Sequence, residues 1–112
     1  MNIDDLIIKK VDIKRDAGYF KGWKDSVMVF TKQQHAIVYD KPFNNDYENS
    51  ICIFELDKIT FKQKVDYKNP FLFEINAHRK GTIVNYKETF VFDALNNENL
   101  YDISLILKDF SK

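Results

Sequence analysis

The amino-acid sequence predicts a mainly β domain that ends in one α-helix, and three observations carry that prediction. Short runs rich in Val, Ile, Phe and Tyr recur along most of the chain, several alternating with polar residues at the period of a half-buried strand. Clusters of Asn, Asp, Gly and Pro separate them, as turns require. Only the last segment changes period: Leu100, Ile103, Leu107 and Phe110, joined by Ile106, fall on one helical stripe.

Leu6 to Ile13 (LIIKKVDI) forms the first expected strand. In the following KRDAGYFKG, Asp16, Gly18 and Gly22 are turn residues, while Lys14, Arg15 and Lys21 load the connection with positive charge. Gly22 to Asp40 is a β-hairpin, because its apolar cores, Val27 to Phe30 and Ala36 to Tyr39, flank a polar break too short for a helix. The turn-rich KPFNNDYEN is a surface loop, acidic on balance. Ser50 to Leu56 is a fourth strand with Cys52, Phe54 and Leu56 on one face and Ile51, Ile53 and Glu55 on the other. In a fifth, Ile59, Phe61 and Val65 alternate with Thr60, Lys62 and Lys64. Phe71, Phe73 and Ile75 mark a sixth, with Pro70 just outside it and AHRKG as the break that follows. The pattern is uneven from Thr82 to Tyr86, then clearly extended from Thr89 to Ala94, with Phe90 and Phe92 on one face. Asn96 or Asn97 can cap a helix over about 97–110, and Glu98 suits the positive end of its dipole. Such a helix is roughly 20 Å long, enough to cover one open end of a small barrel.

Composition narrows the function. A single domain spanning 1–112 buries roughly 65% of the surface its unfolded chain exposes. Hydrophobic residues make up 45% and there are only three Gly and two Pro, which excludes a disordered linker. Lys and Arg number 17, as do Asp and Glu, so there is no global positive field for nucleic acid, and any anion site is a local patch. The single Cys52 makes no intramolecular disulfide, which fits a cytoplasmic protein. No apolar run approaches a membrane span, and MNIDDLIIKK lacks the positive start of a signal peptide, so membrane contact is expected to be peripheral. His35 and His78 lie far apart in sequence, and no Gly-rich phosphate loop, G-x-S-x-G or metal-ligand spacing occurs. No catalytic residue, metal site or cofactor is therefore expected.

The order Gly22-Trp23-Lys24, apolar strand, turn, apolar strand ending Tyr39-Asp40, then ENSICIFELDKI, resembles the first half of a pleckstrin homology (PH) domain. The resemblance extends over nearly the whole chain, and among PH domains it is most similar to those near the C-termini of Rho-associated kinases. It implies a PH-like barrel: two nearly orthogonal antiparallel sheets, about seven strands in all, plugged by the C-terminal helix. Where that helix usually carries a Trp, this chain has Ile103.

The resemblance also implies a site. In PH domains that bind phosphoinositides, a Lys ending the first strand and a K-x-R-x-F-x-L run in the second converge on phosphates. Lys9 or Lys10 takes the first position here, and Lys24, Ser26, Met28 and Phe30 occupy the run, with Ser26 in place of Arg. Phosphate calls for charge-assisted donors from several segments, and Arg grips two oxygens at once, so the exchange removes a fork. Lys14, Arg15, Lys21 and the His78-Arg79-Lys80 cluster would compensate, since the PH arrangement brings both connections to one end of the barrel. The expected headgroup-binding set is Lys9, Lys10, Lys14, Arg15, Lys21, Lys24, Arg79 and Lys80. Asp46 and Glu48, in the third loop of that end, would repel phosphate. The plainer reading is that these charges merely solvate loops. Tyr19, Phe20, Phe43 and Tyr47 are loop aromatics suited to a headgroup region or a protein partner. Two roles remain open: a membrane-targeting module for anionic lipid headgroups, phosphoinositides among them, or a protein- or peptide-interaction module of the same fold.

Overall fold

Alternation and turn chemistry produce seven strands and one α-helix among the residues described by this computed structural model, which are 6–42, 50–64, 66–80, 82–83 and 85–110. In chain order they are β1 (Ile7–Asp16), β2 (Trp23–Thr31), β3 (His35–Asp40), β4 (Ser50–Glu55), β5 (Ile59–Gln63), β6 (Leu72–Lys80), β7 (Asn85–Asp93) and α1 (Asn97–Phe110). All pairings are antiparallel, in the order β4-β3-β2-β1-β7-β6-β5. Two meanders, β1 to β4 and β5 to β7, are joined in the sheet, among the described residues, by the short β1–β7 ladder, Lys14 opposite Asp93 and Arg15 opposite Phe92.

The concave side of this sheet holds the main core. Val11, Ile13, Met28, Phe30, Ala36, Val38 and Phe54 come from the first meander, and Ile59, Phe73, Ile75, Ala77 and Phe92 from the second. Its aromatics interlock edge to face, with ring centroids 5.0 Å apart for Phe54 and Phe90 and 6.4 Å for Phe54 and Phe92. β2 and β3 are buried on both faces: Val27, Val29, Ile37 and Tyr39 form a second cluster, with Ile7 packed against it. That is why both read as unbroken apolar runs rather than alternating ones.

The helix starts where the sequence predicts. The Asn96 side chain accepts the Asn99 N–H at 2.8 Å, an N-cap bond. Ile103 and Leu107 are fully buried and Leu100 nearly so, so these three close one end of the core. Two bonds tie the helix to β1: Lys9 Nζ to the Asp102 carboxylate at 3.2 Å, and Asn99 Nδ2–H to the Asp12 carbonyl at 3.1 Å.

Several boundaries differ from expectation. β1 runs past Ile13 to Asp16, pairing Lys14, Arg15 and Asp16 with Asp25, Lys24 and Trp23. β6 likewise continues through the expected break, pairing Ala77, His78, Arg79 and Lys80 with Glu88, Lys87, Tyr86 and Asn85. Ladder hydrogen bonds are indifferent to side-chain polarity, so a strand can outrun the core that patterned it. Leu56 opens a one-turn 3₁₀ helix, Leu56–Lys58, instead of closing β4. Cys52 is half-buried and packs against the core on the Phe54 side, as read from the alternation. Phe43, Asp46, Tyr47, Glu48 and Val65 lie outside the described residues.

Candidate functional site

Four of the eight predicted basic residues, Lys14, Arg15, Lys21 and Lys24, lie at the end of β1, in the turn that follows it and at the start of β2. This turn is closed by its own backbone: Ala17 N–H donates to the Gly22 carbonyl at 2.8 Å, and Gly22 N–H and Lys21 N–H to the Gly18 carbonyl at 3.1 and 3.2 Å. The Asp16 carboxylate accepts the Gly18 N–H at 3.0 Å. Gly18 and Gly22 have φ of +110° and +66°, a region where a Cβ is strained, so these glycines let the chain reverse. The apex then presents Tyr19 and Phe20, each 94% exposed and stacked edge to face with centroids 4.9 Å apart. Lys21 in the turn, Lys14 on β1 and Lys24 on β2 are exposed, and Trp23 is 45% exposed at the start of β2.

Below the apex lies a polar constellation across three strands. Arg15 stands opposite Lys24 and Ser26 opposite Asp40. Arg15 Nε–H and Nη2–H donate to the two Asp40 carboxylate oxygens at 2.7 Å each, and Ser26 Oγ–H donates to Asp40 Oδ1 at 2.8 Å. Ser26 is fully buried, whereas the two ionic side chains keep 20% (Arg15) and 34% (Asp40) of their surface in solvent. The Arg15 hydrogen bond holds the Asp40 carboxyl below its ordinary range, helped by Ser26 and by the nearby charge of Lys24, against the opposing effect of burial. The same bond pushes the Arg15 guanidinium up.

The structure therefore divides the predicted set. Lys14, Lys21 and Lys24 share the β1–β2 end. Arg79 and Lys80 end β6, and because β7 runs antiparallel to β1, the β6–β7 turn departs on the side toward which β1 points. By register Arg79 stands opposite Tyr86, six residues up β7 from Phe92, which is about 20 Å beyond the level of Arg15. Lys9 and Lys10 are not with them. The long β1 puts Lys9 about 20 Å from Arg15, at the helix end, where it pairs with Asp102. Lys10 borders a hollow on the convex face, lined also by Asp12, Val27, Lys41 and Pro42. Arg15 is in place, but its fork is taken by Asp40. Asp40 is the residue that the sequence pattern does not bring to the site, and Ser26, expected there only as a lost Arg, is one of its donors. Among the described residues, no group of three or more His, Cys, Asp or Glu is arranged to hold a metal ion, and no helix is long and apolar enough to cross a membrane.

No family sequence model matches the chain, and no curated protein sequence matches it either. Solved structures do match over nearly its whole length. It superposes on the PH domain of Slm1 in complex with inositol-4-phosphate with a TM-score of 0.70 at 16% identity, covering 96% of this chain and 99% of that one. The fold is that of a PH domain. The human KIAA0053 PH domain gives a TM-score of 0.72 at 18% identity, covering 94% of this chain and 88% of that one. The C-terminal PH domain of pleckstrin, solved with an inositol pentakisphosphate, gives 0.70 at 17%, covering 96% and 97%. In PH terms, the Tyr19-Phe20 apex is the first inter-strand loop, and Ile103 and Leu107 sit on the helix that closes the barrel.

Proposed function

We propose that this PH fold is a non-catalytic module that docks on anionic membrane surfaces through its β1–β2 end, taking lipid phosphates, those of phosphoinositides among them, as its ligand chemistry. The observation that carries the reading is the apex: two adjacent aromatics, 94% exposed, on a turn closed by its own hydrogen bonds, with exposed Lys21 in the turn and exposed Lys14 and Lys24 on the strands that enter and leave it. Aromatic rings favour the membrane–water interface, and each Lys or Arg near an anionic bilayer adds about 1 kcal/mol of attraction. Lys14, Lys21 and Lys24 supply the cations next to the apex, with Arg79 and Lys80 at the end of β6 as a further pair. Lys9 and Lys10 drop out of the set on their positions, and Arg15 stays at this end with its fork held by Asp40. Two of the similar PH domains named above were solved with inositol phosphates, which supports the same ligand chemistry. The finer likeness to Rho-associated kinase PH domains rests on the sequence order alone, from Gly22 to Asp40 and on through ENSICIFELDKI. On this reading the module works at the cytoplasmic face of a membrane.

Sedimentation with vesicles of phosphatidylcholine, with and without phosphatidylserine, tests the proposal. The chain is expected to pellet with the anionic vesicles, and Tyr19→Ser with Phe20→Ser to release it while the melting curve stays put, since both rings are in solvent. Retention of the double variant, or no pelleting at low salt, would reject it. A protein-interaction role is favoured by a different observation: β4 is an edge strand, with Ile51 and Ile53 46% and 40% exposed, a form that can add a peptide strand. Binding unaffected by salt would point there.

A further inference from the structure

An anion site at the mouth of the barrel is already assembled, and the anion in it belongs to the chain. A carboxylate and a phosphate make the same demand on an arginine fork, two parallel N–H···O bonds, and Asp40 receives both from Arg15 at 2.7 Å. Ser26 adds a buried hydroxyl donor at 2.8 Å. Lys24 stands opposite Arg15 in the ladder, and its charge acts on the Asp40 carboxylate. Fork and hydroxyl thus converge from β1 and β2 on one residue of β3. There is space beside Arg15, which also lines an open hollow of about 280 Å3 with Asp16, Gly18, Ile51 and Phe90. One water occupies about 30 Å3, so the hollow has room for a larger anion.

We propose that Asp40 is an internal competitor for phosphate. Its carboxylate holds the Arg15 fork and the Ser26 hydroxyl, so a phosphomonoester engages them only by displacing it, and Asp40 thereby sets the affinity of this end of the domain for inositol phosphates. The proposal rests on the reading of this end as facing anions. The phosphate belongs to a lipid headgroup or to a soluble inositol phosphate, and the experiment keeps these apart.

Calorimetry with soluble inositol hexakisphosphate at neutral pH compares the unmutated chain with Asp40→Asn and Asp40→Ser. A control, Asp25→Asn, removes the same charge from an exposed position opposite Lys14 without touching Arg15. Both Asp40 variants are expected to bind at least about tenfold tighter, the scale of a released charge-assisted hydrogen bond. Asp25→Asn should stay within about threefold, as for one screened surface charge. Adding Arg15→Gln to Asp40→Asn should cancel the gain. Equal tightening from Asp25→Asn and Asp40→Asn would mean net charge alone and overturn the proposal, as would unchanged affinity in the Asp40 variants. If neither Asp40 variant melts cooperatively, the pair is a structural clamp and the proposal is equally lost. A parallel arm uses phosphatidylcholine vesicles carrying phosphatidylinositol 4,5-bisphosphate. A gain for the soluble ligand without vesicle binding upholds the role of Asp40 and sinks membrane docking; vesicle binding without the gain does the reverse.

Discussion

At the scale of single residues, Asp40 is the position where charge, burial and strand register meet. Its carboxyl is held below its ordinary value of 3.8, first by Arg15 and then by Ser26. A depressed carboxylate stabilises the fold fully above its unfolded pKa, and that stability is lost as pH falls through the lower folded value. The window therefore lies below about pH 3.8. Because the pair is partly exposed, Asp40→Asn should cost only about 1 kcal/mol at neutral pH. Urea melts at stepped pH check this: the gap between the two proteins should close as Asp40 protonates in acid, and a gap that persisted there would show that the carboxylate charge is not its source. Ser26 against Asp40 was legible in principle, since a hairpin centred on Gln33 sets them opposite one another. What hid the pair was Arg15, which the apolar pattern left in a loop and the ladder carries into β1. Lys9 or Lys10 takes its expected place from the likeness to the PH first-strand lysine, whereas the long β1 sets Lys9 near its start, at the helix end.

At the scale of elements, helix α1 was the most legible and is the most testable. Its stripe, its cap and its span all follow from side chains that the sequence displays, and the structure buries Ile103 and Leu107 completely. Leu107→Ala should cost about 2–5 kcal/mol, the range for emptying a buried aliphatic site. Asn96→Ala should cost about 1 kcal/mol through loss of the cap. Denaturant titration of both separates plug from cap, and equal small losses would mean that the helix does not seal the core. Strand interiors were equally readable: Ile59 is buried and Phe61 half-buried, while Thr60 and Lys62 face solvent. Strand ends were not. β1 and β6 both extend as polar ladder beyond the core, and nothing in hydrophobic periodicity records a backbone hydrogen bond. Those extensions change the site, because they turn the expected basic loops into strand ends whose backbone is at fixed register.

At the scale of the whole molecule, the fold was legible because its order of strands, turns and terminal helix is that of a PH domain, although identity to the solved PH domains above is only 16–18%. The site was less so, since charge counts balance over the chain and only tertiary structure shows which cations gather. Docking by the β1–β2 end implies a polarity that charge reversal exposes. Lys21→Glu with Lys24→Glu should abolish sedimentation with anionic vesicles, whereas Lys62→Glu with Lys64→Glu, on and just beyond β5, should do much less. Equal losses would mean diffuse attraction without a docking face. Trp23 is the only tryptophan and sits next to the turn, 45% exposed, so the unmutated chain carries its own reporter of orientation. The most direct measurement is its fluorescence in the presence of phosphatidylserine vesicles whose acyl chains are brominated. Docking through Tyr19 and Phe20 predicts a blue shift and quenching at low salt, both reversed as added salt shortens the screening length. Vesicle binding that leaves the Trp23 emission unshifted and unquenched would contradict it.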